Sequence, residues 1–467
     1  MEKVFRDPIY GLISFDKEED LLLLKLIDTY EFQRLRRIRQ LGVSWFTYPT
    51  AVHTRFSHSI GAAYLAGKVF DRLSLDDKIQ FEDDDGNYVL SRRELKLLLQ
   101  TTALLHDIGH GPFSHAFESI INQKHEEWSK KIIQDKDSNI NKVILVVKDE
   151  NTLSYIKNIE KFPQWISDIL SGIFPLRYIT EIISSQLDVD RFDYLLRDAY
   201  MCGVDYAKFD LNWILNNIDI GTITHEEGRK GIVVNAEKGI YFLESFIISR
   251  YHMYEQVYFH KTTRAAEKVI QSIFKRIQEL IKKNEVEKIG QIDKNVLDVF
   301  SGNINIKNYI KLDDFMLISC INKWSDESKD NLLKHLCNNF LNRKLYKLVA
   351  EAENMQIASS EQNDRIYEFF CDVNLKKEYY YVEDDYKSVA YKDDYLFGEK
   401  SSEDSGHIWL RTKQGKLVEL AETSDIIKAL RNNVKRKYRS YCDRSIVEEF
   451  LSKKLIREDV LYAGNVY

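Results

Sequence analysis

The densest group of residues able to do chemistry is Leu105-His106-Asp107-Ile108-Gly109-His110-Gly111-Pro112-Phe113-Ser114-His115, which holds three of the chain's eleven histidines. Neutral imidazole and carboxylate are the ligand types that hold Zn, Mn or Fe. The adjacent His106-Asp107 pair closes an apolar helix expected from about Arg92, started by the capping box Ser91-Arg92-Arg93-Glu94 and stopped by Gly109 and Gly111-Pro112. A pair at such an end can aim two donors into one cavity; simple capping of the helix is the structural alternative.

Two further stretches supply partners. His58 lies in His53-Thr54-Arg55-Phe56-Ser57-His58-Ser59-Ile60-Gly61, in the first turn of a helix expected from Ser57 through Leu73, whose Gly61, Ala62, Ala63, Ala66 and Gly67 let another helix come close. In Ser185-Gln186-Leu187-Asp188-Val189-Asp190-Arg191-Phe192-Asp193-Tyr194-Leu195-Leu196-Arg197-Asp198, the residues Asp190, Tyr194 and Asp198 are spaced i, i+4, i+8 and share a helix face. Two carboxylates and a phenol in one stripe are poor core material, because each would need a buried partner, so a polar cavity is their natural place. A site built from His58, His106, Asp107 and Asp190 offers two imidazoles and two carboxylates and leaves positions open for water and a substrate oxygen on one divalent ion.

Helical periodicity and only five prolines predict a mainly α protein. An early helix through Ile27–Gly42 has Phe32, Leu35 and Ile38 on its apolar face and its arginines turned the other way. Glu82-Asp83-Asp84-Asp85-Gly86-Asn87 fails the calcium-loop test, since Phe81 and Arg92 would occupy the first and twelfth positions, and reads as a surface turn. Residues 136–165 give no clear pattern. Residues 231–242 read as a hairpin turning near Lys238-Gly239, followed by a long helix with Arg250, Tyr254, Tyr258 and Lys261 on one side. Beyond about 290, residues 310–350 are expected helical, Tyr379–Val382, Ser388–Tyr391 and His407–Leu410 as strands, and 424–455, with the basic Lys435-Arg436-Lys437-Tyr438-Arg439, as helix. The expected division is a catalytic core over 1–290 and a smaller α+β lobe over 291–467.

At 467 residues, 44% hydrophobic and 30% charged, the chain is expected to fold into two or three lobes. No stretch is long and apolar enough for a membrane span and no secretory leader is read, so a cytoplasmic location is expected. Cys202, Cys320, Cys337, Cys371 and Cys442 have no CxxC spacing, which argues against a zinc knuckle or disulfide framework and for free buried thiols. A net charge of −6 gives no general attraction for a polyanion, so nucleic acid is a possible partner without being indicated, and phosphate binding would need a local basic cluster.

The order H…HD…D is the pattern of the HD superfamily of metal-dependent phosphohydrolases. The strings Gln40-Leu41-Gly42, His53–Ser59, Leu105–His115 and Asp188–Tyr194 resemble more specifically its dNTP triphosphohydrolases, both those that carry a sterile-alpha-motif domain, which is not matched here, and bacterial dGTPase-like enzymes. The resemblance covers residues 5–270 well and continues weakly beyond. It implies an all-helical HD-domain core with a short hairpin, and hydrolysis of dNTPs to deoxynucleoside and inorganic triphosphate. It implies a divalent ion (Fe, Mn, Mg or Zn) on His58, His106, Asp107 and Asp190; His115 at the scissile phosphate with His110 and His125 beside it and Glu118 as orienting carboxylate; Arg55, Arg191 and Arg250 against the triphosphate; and Gln40, Leu41, Tyr194, Asp198 and Tyr258 around the deoxyribose. It also implies a GTP or dGTP activator at Asp28, Gln33 and Arg36 and assembly into a dimer or tetramer. Glu118 stands where the family has aspartate, and Phe259 where it has glutamine. Another HD hydrolase, such as a nucleotide or cyclic-nucleotide phosphodiesterase, would use the same four metal positions, and a nucleotide-sensing or nucleic-acid-binding protein is the non-enzymatic alternative.

Overall fold

The computed structural model describes residues 1–149, 155–223, 229–352, 360–389, 391, 407–431 and 434–456. Three helices make the centre: Arg55–Arg72, Arg92–Leu105 and Val189–Cys202. Thr54, Ser91 and Asp188 precede them in extended backbone, and the Ser91 and Asp188 side chains accept the amides of Glu94 and Arg191 as N-caps. Small residues permit their closeness. A Cβ on Gly61 would lie 1.9 Å from Asp193 Oδ1, so only glycine lets the Arg55–Arg72 helix pass the Val189–Cys202 helix at this distance.

Around this centre the chain is mainly helical, with small sheets. Glu2–Asp7 pairs with Gly11–Asp16, and Lys78–Asp83 with Gly86–Ser91, whose turn carries the acidic run read as a surface turn. Residues 136–165, unplaced in sequence, include the helices Asn139–Asp149 and, at their end, the start of Phe162–Leu170. A four-stranded sheet runs in the order Leu417–Glu419, Trp409–Arg411, Arg229–Asn235, Ile218–Ile223, and a three-stranded antiparallel sheet places Val434–Cys442 between Lys347–Ala352 and Tyr381–Val389. One apolar core surrounds the three central helices. A second is built on the helix Lys261–Lys282 and joins Phe46, Phe113, Phe117 and Trp128 to Tyr309, Leu312 and Trp324.

Several expectations are corrected. The hairpin is Ile218–Ile223 with Arg229–Asn235, and Lys238-Gly239 lie in the first turn of the helix Ala236–Met253, because Asn235 caps that helix by accepting the Glu237 and Lys238 amides. The long helix after it is interrupted: a π-helical turn, Tyr254–Tyr258, follows, and His260 then caps Lys261–Lys282. Residues 424–455 are not one helix. Val434–Cys442 is a strand in which Lys435, Lys437 and Arg439 meet Tyr251, Glu255 and Glu351, while Arg436 meets Asp385. Tyr379 and Tyr380 belong to the helical turn Lys377–Tyr380, and His407 precedes the strand Trp409–Arg411. Ser388 and Val389 end the strand Tyr381–Val389, residue 390 lies outside the described residues, and Tyr391 makes an isolated bridge to Arg431. Four cysteines are buried as expected, but Cys371 is exposed.

The early helix is also different. It is split into Leu21–Ile27 and Tyr30–Arg34, with Asp28 as an exposed C-cap and Thr29 as the next N-cap. Its arginines do not all face solvent: Arg34 is 0% exposed. Its guanidinium donates to the carbonyls of Leu312 (2.9 Å), Ile108 (3.2 Å) and His110 (2.5 Å). The same loop is held by Tyr309, whose hydroxyl donates to Gly109 O at 2.7 Å while its ring stacks on Trp128, and by Asp314, which accepts the amides of Phe113 and Arg39 at 2.8 and 2.9 Å. Phe113 and Ser114 both have positive φ, 57° and 53°, a conformation that non-glycine residues adopt only when surroundings impose it.

Replacing Arg34 by Met would orphan three buried carbonyls. The expected loss is about 3 kcal/mol or more, seen as a melting temperature lowered by several degrees in calorimetry. Arg34→Lys should not restore it, because an ammonium lacks the planar fork that spans three acceptors; an unchanged melting temperature for Arg34→Met would show that the loop is held by other contacts.

Candidate active site

His58, His106, Asp107 and Asp190 converge. His58 Nε2 lies 3.2 Å from His106 Nε2, 2.9 Å from Asp190 Oδ1 and 3.7 Å from Asp107 Oδ2. His106 Nε2 is 3.4 Å from Asp107 Oδ1 and 3.5 Å from Asp190 Oδ1. The other ring nitrogens decide the tautomers. His58 Nδ1 donates to Asp193 Oδ2 at 2.8 Å, and His106 Nδ1 donates to the carbonyl of Ala103 at 2.7 Å. With both rings neutral, each Nε2 would turn a lone pair towards the other, and a proton or a cation between them relieves that repulsion.

The electrostatics point the same way. Burial disfavours an imidazolium at His58, yet hydrogen bonds to Asp190 and Asp193 outweigh it and push the pKa up to about 10. At His106, Asp107 and Asp190 likewise outweigh burial and raise the pKa. Burial would raise Asp190, but His106 and His58 hold its carboxyl well below the usual carboxylate range. This pocket wants positive charge. Nitrogen and oxygen donors in this number fit a divalent ion.

Asp193 is the partner that the sequence reading missed. It is fully buried and held by Arg197 through both carboxylate oxygens at 2.8 Å, by Tyr10 OH at 2.9 Å, and by His58; Arg197 in turn donates to Asp7 at 2.7 Å. Its signal is an acidic residue three after Asp190 and four before an arginine on one helix. A carboxylate behind a ligating histidine orients the ring and raises its basicity.

A second group adjoins the first. His110 Nε2 is 3.3 Å from Asp107 Oδ1, and its ring stacks on His125 with centroids 3.6 Å apart. The Glu118 carboxylate lies 2.8 Å from His125 Nδ1 and 3.4 Å from His110 Nδ1. Burial, Arg55 and His125 push the pKa of His110 well below its ordinary value, so it is a neutral imidazole. Asp107, His110 and His125 also have donor atoms close enough to share an ion. His115 opens the helix His115–Ile121, and its side chain lies outside the described residues.

Of the three arginines, Arg55 is buried against the site, with Nη1 2.5 Å from Asp107 Oδ2 and Nε and Nη2 donating to Ser114 Oγ at 3.1 and 2.8 Å. Arg191 bonds Asp188 and the Ser185 carbonyl. Arg250 is buried over the Tyr254 ring, and its Nε has no hydrogen-bond partner among the described residues. Arg191 and Arg250 both act on the Tyr194 hydroxyl, whose pKa burial pushes well above its ordinary value.

Tyr194, Asp198 and Tyr258 are also brought together. The tyrosine rings meet edge to face at 6.1 Å, and Tyr258 OH donates to Asp198 Oδ2 at 2.8 Å. His53 Nε2 donates to Asp198 Oδ1 at 2.8 Å, a contact absent from the sequence reading although His53 stands two residues before Arg55. Gln40 donates its amide to His53 O at 3.0 Å and Leu41 packs on the core. Asp28 stays apart in exposed backbone, while Gln33 accepts from Arg36 Nε at 2.9 Å and Arg36 lies 3.5 Å over the Phe56 ring.

Known proteins resemble the chain over most of its length. Residues 55–198 match the HD domain and residues 218–300 the HD associated region. The Bacillus subtilis protein YwfO is 33% identical over 96% of this chain and 93% of its own length. The Dictyostelium discoideum deoxynucleoside triphosphate triphosphohydrolase SAMHD1 homolog is 28% identical over 75% of this chain and 60% of its own length. A phosphohydrolase from Bacteroides thetaiotaomicron, 27% identical, superposes with a TM-score of 0.71 over 95% of this chain and 100% of its own. Among the described residues, no helix is long and apolar enough to cross a membrane. The chain belongs to the HD-domain phosphohydrolase family, as an HD domain followed by its associated region.

Proposed function

We propose that this chain hydrolyses deoxynucleoside triphosphates to deoxynucleoside and inorganic triphosphate, with one divalent ion (Fe, Mn, Mg or Zn) held by His58, His106, Asp107 and Asp190. The observation that carries this over another HD hydrolase is that Tyr194 and Asp198, on the same helix face as Asp190 and roughly 12 Å along the axis from Asp190 to Asp198 at 1.5 Å per residue, are met there by Tyr258 from the π-helical turn. The name of the Dictyostelium relative supports the substrate class.

The ion would supply Lewis acidity at a phosphoryl oxygen and lower the pKa of water near it. The chain's own groups do the rest. Asp193 and the Ala103 carbonyl take the Nδ1 protons of the two imidazoles, so that Nε2 is the nitrogen each would offer to the ion. His110, neutral and beside Glu118 and His125, is able to accept a proton from the attacking water or pass one on, with His115 assigned to the leaving oxygen. Arg250, whose Nε has no partner among the described residues, takes a phosphate oxygen, and Arg55 and Arg191 add positive charge around it. Tyr194 packs where a 2′-hydroxyl would project, and Asp198 accepts the 3′-hydroxyl. GTP or dGTP at Asp28, Gln33 and Arg36 would favour an assembled dimer or tetramer.

A product assay tests the reaction. Inorganic triphosphate from dATP is expected, with ATP turned over more than about 100-fold more slowly, since a steric clash rejects an added hydroxyl more firmly than a loose apolar pocket does. Pyrophosphate or monophosphate as the product, or equal turnover of ATP, would refute the assignment. Asp107→Ala is expected to lose bound metal and activity together, measured by elemental analysis and the same assay. Asp193→Asn, which touches no substrate, is expected to weaken metal affinity about 10- to 100-fold while the fold is retained by circular dichroism. Asp28→Ala should abolish stimulation by GTP and leave metal content intact.

A further inference from the structure

His53 lies outside the donor set that holds the ion, yet it is built into the sugar end. Its side chain is 5% exposed, and its Nε2 faces Asp198 Oδ1 at 2.8 Å. A carboxylate offers only lone pairs, so the shared proton sits on Nε2. The other oxygen of Asp198 takes Tyr258 OH at 2.8 Å. One donor on each oxygen fixes the plane of the carboxylate and leaves a lone pair on each for a further donor. The backbone that carries His53 is itself fixed: its carbonyl accepts the Gln40 amide at 3.0 Å, and Arg39 and Thr54 form an antiparallel bridge beside it. Two acceptor atoms there, His53 Nδ1 and Gln40 Oε1, are buried without a hydrogen-bond partner among the described residues. Buried polar atoms left in this way point to a ligand or a water that completes them.

We infer that His53 is a positioning residue that holds the Asp198 carboxylate so that it reads the 3′-hydroxyl of the substrate. The inference rests on the proposed dNTP reaction. A neutral hydroxyl donating to a carboxylate whose lone pair is already aimed loses little orientational freedom on binding, whereas a carboxylate free to turn would lose much of that gain. A purely structural His53–Asp198 pair would serve every nucleotide alike. One that aims Asp198 matters only to substrates that carry the hydroxyl.

Steady-state kinetics of the full chain on dATP and on 2′,3′-dideoxyATP separate these cases. For His53→Phe, which keeps the bulk and loses the donor, kcat/KM on dATP is expected to fall about tenfold or more, chiefly through KM, as befits a hydrogen bond to a charged group, with the dideoxy value close to wild type. His53→Gln, whose amide reaches the place of Nε2, should recover most of the loss, and His53→Asn, whose shorter amide cannot, should not. That contrast decides the matter if the phenylalanine variant fails to fold. Equal losses on the two nucleotides, or a wild-type enzyme that does not distinguish them, would overturn the inference while the triphosphohydrolase stands. A wild-type protein that cuts no dNTP removes the proposed function and this inference with it.

Discussion

With both rings neutral, two imidazole nitrogens 3.2 Å apart in a buried pocket would repel each other, and much of the centre of this fold exists to keep them there. Neither ring can relieve the repulsion by moving its proton, because Asp193 and the Ala103 carbonyl hold the opposite nitrogens protonated. Asp193 can remain ionised without water only because Arg197 and Tyr10 satisfy it, and Arg197 only because Asp7 accepts its remaining fork. Gly61 completes the chain of dependence: any side chain there would occupy the space of the Asp193 carboxylate. A positive charge at the centre turns this repulsion into coordination, so the energy of the arrangement is tied to what it binds.

The second constraint comes from far along the chain. The loop between His106 and His115 offers carbonyls at 108, 109 and 110 and an amide at 113 that no helix satisfies, and they are met by Arg34, Tyr309 and Asp314. Burial pushes the Asp314 carboxyl up to about 6 even though it accepts two amides, which shows how completely this corner excludes water. The segment after the associated region is thus part of the wall of the site. The left-handed backbone at Phe113 and Ser114 is held by that wall, which places His115 at the head of its helix.

What could be read in the sequence follows from range. His58, His106, Asp107 and Asp190 declare themselves by type and by position at helix starts and ends, and Asp190, Tyr194 and Asp198 by a local period. Asp193, His53 and Arg34 look ordinary, because the partners that give them meaning stand 135, 145 and 278 residues away. The basic run at 435–439 was legible as charge but not as strand: its alternation is between cations that meet different carboxylates, not between apolar and polar faces. Lys238-Gly239 read as a turn since glycine suits one, whereas the Asn235 cap three residues before Lys238 decides in favour of helix.

The arginines show where type and spacing stop short of role. The three arginines proposed to meet a polyanion are not equally available. Arg55 forms a buried pair with Asp107, and turning away to a phosphate would leave the Asp107 carboxylate buried without it. It therefore contributes charge from where it sits, and by fixing Asp107 it shapes the metal pocket from the outer side as Asp193 does from the inner. Arg250 has already lost its water to burial and its Nε has found no replacement among the described residues. That nitrogen is desolvated before any ligand arrives, so an anionic oxygen placed there would gain the hydrogen bond without desolvating Nε again. The same count distinguishes a group placed to hold the protein together from one placed to hold a substrate, and it is made from partners, not from residue type.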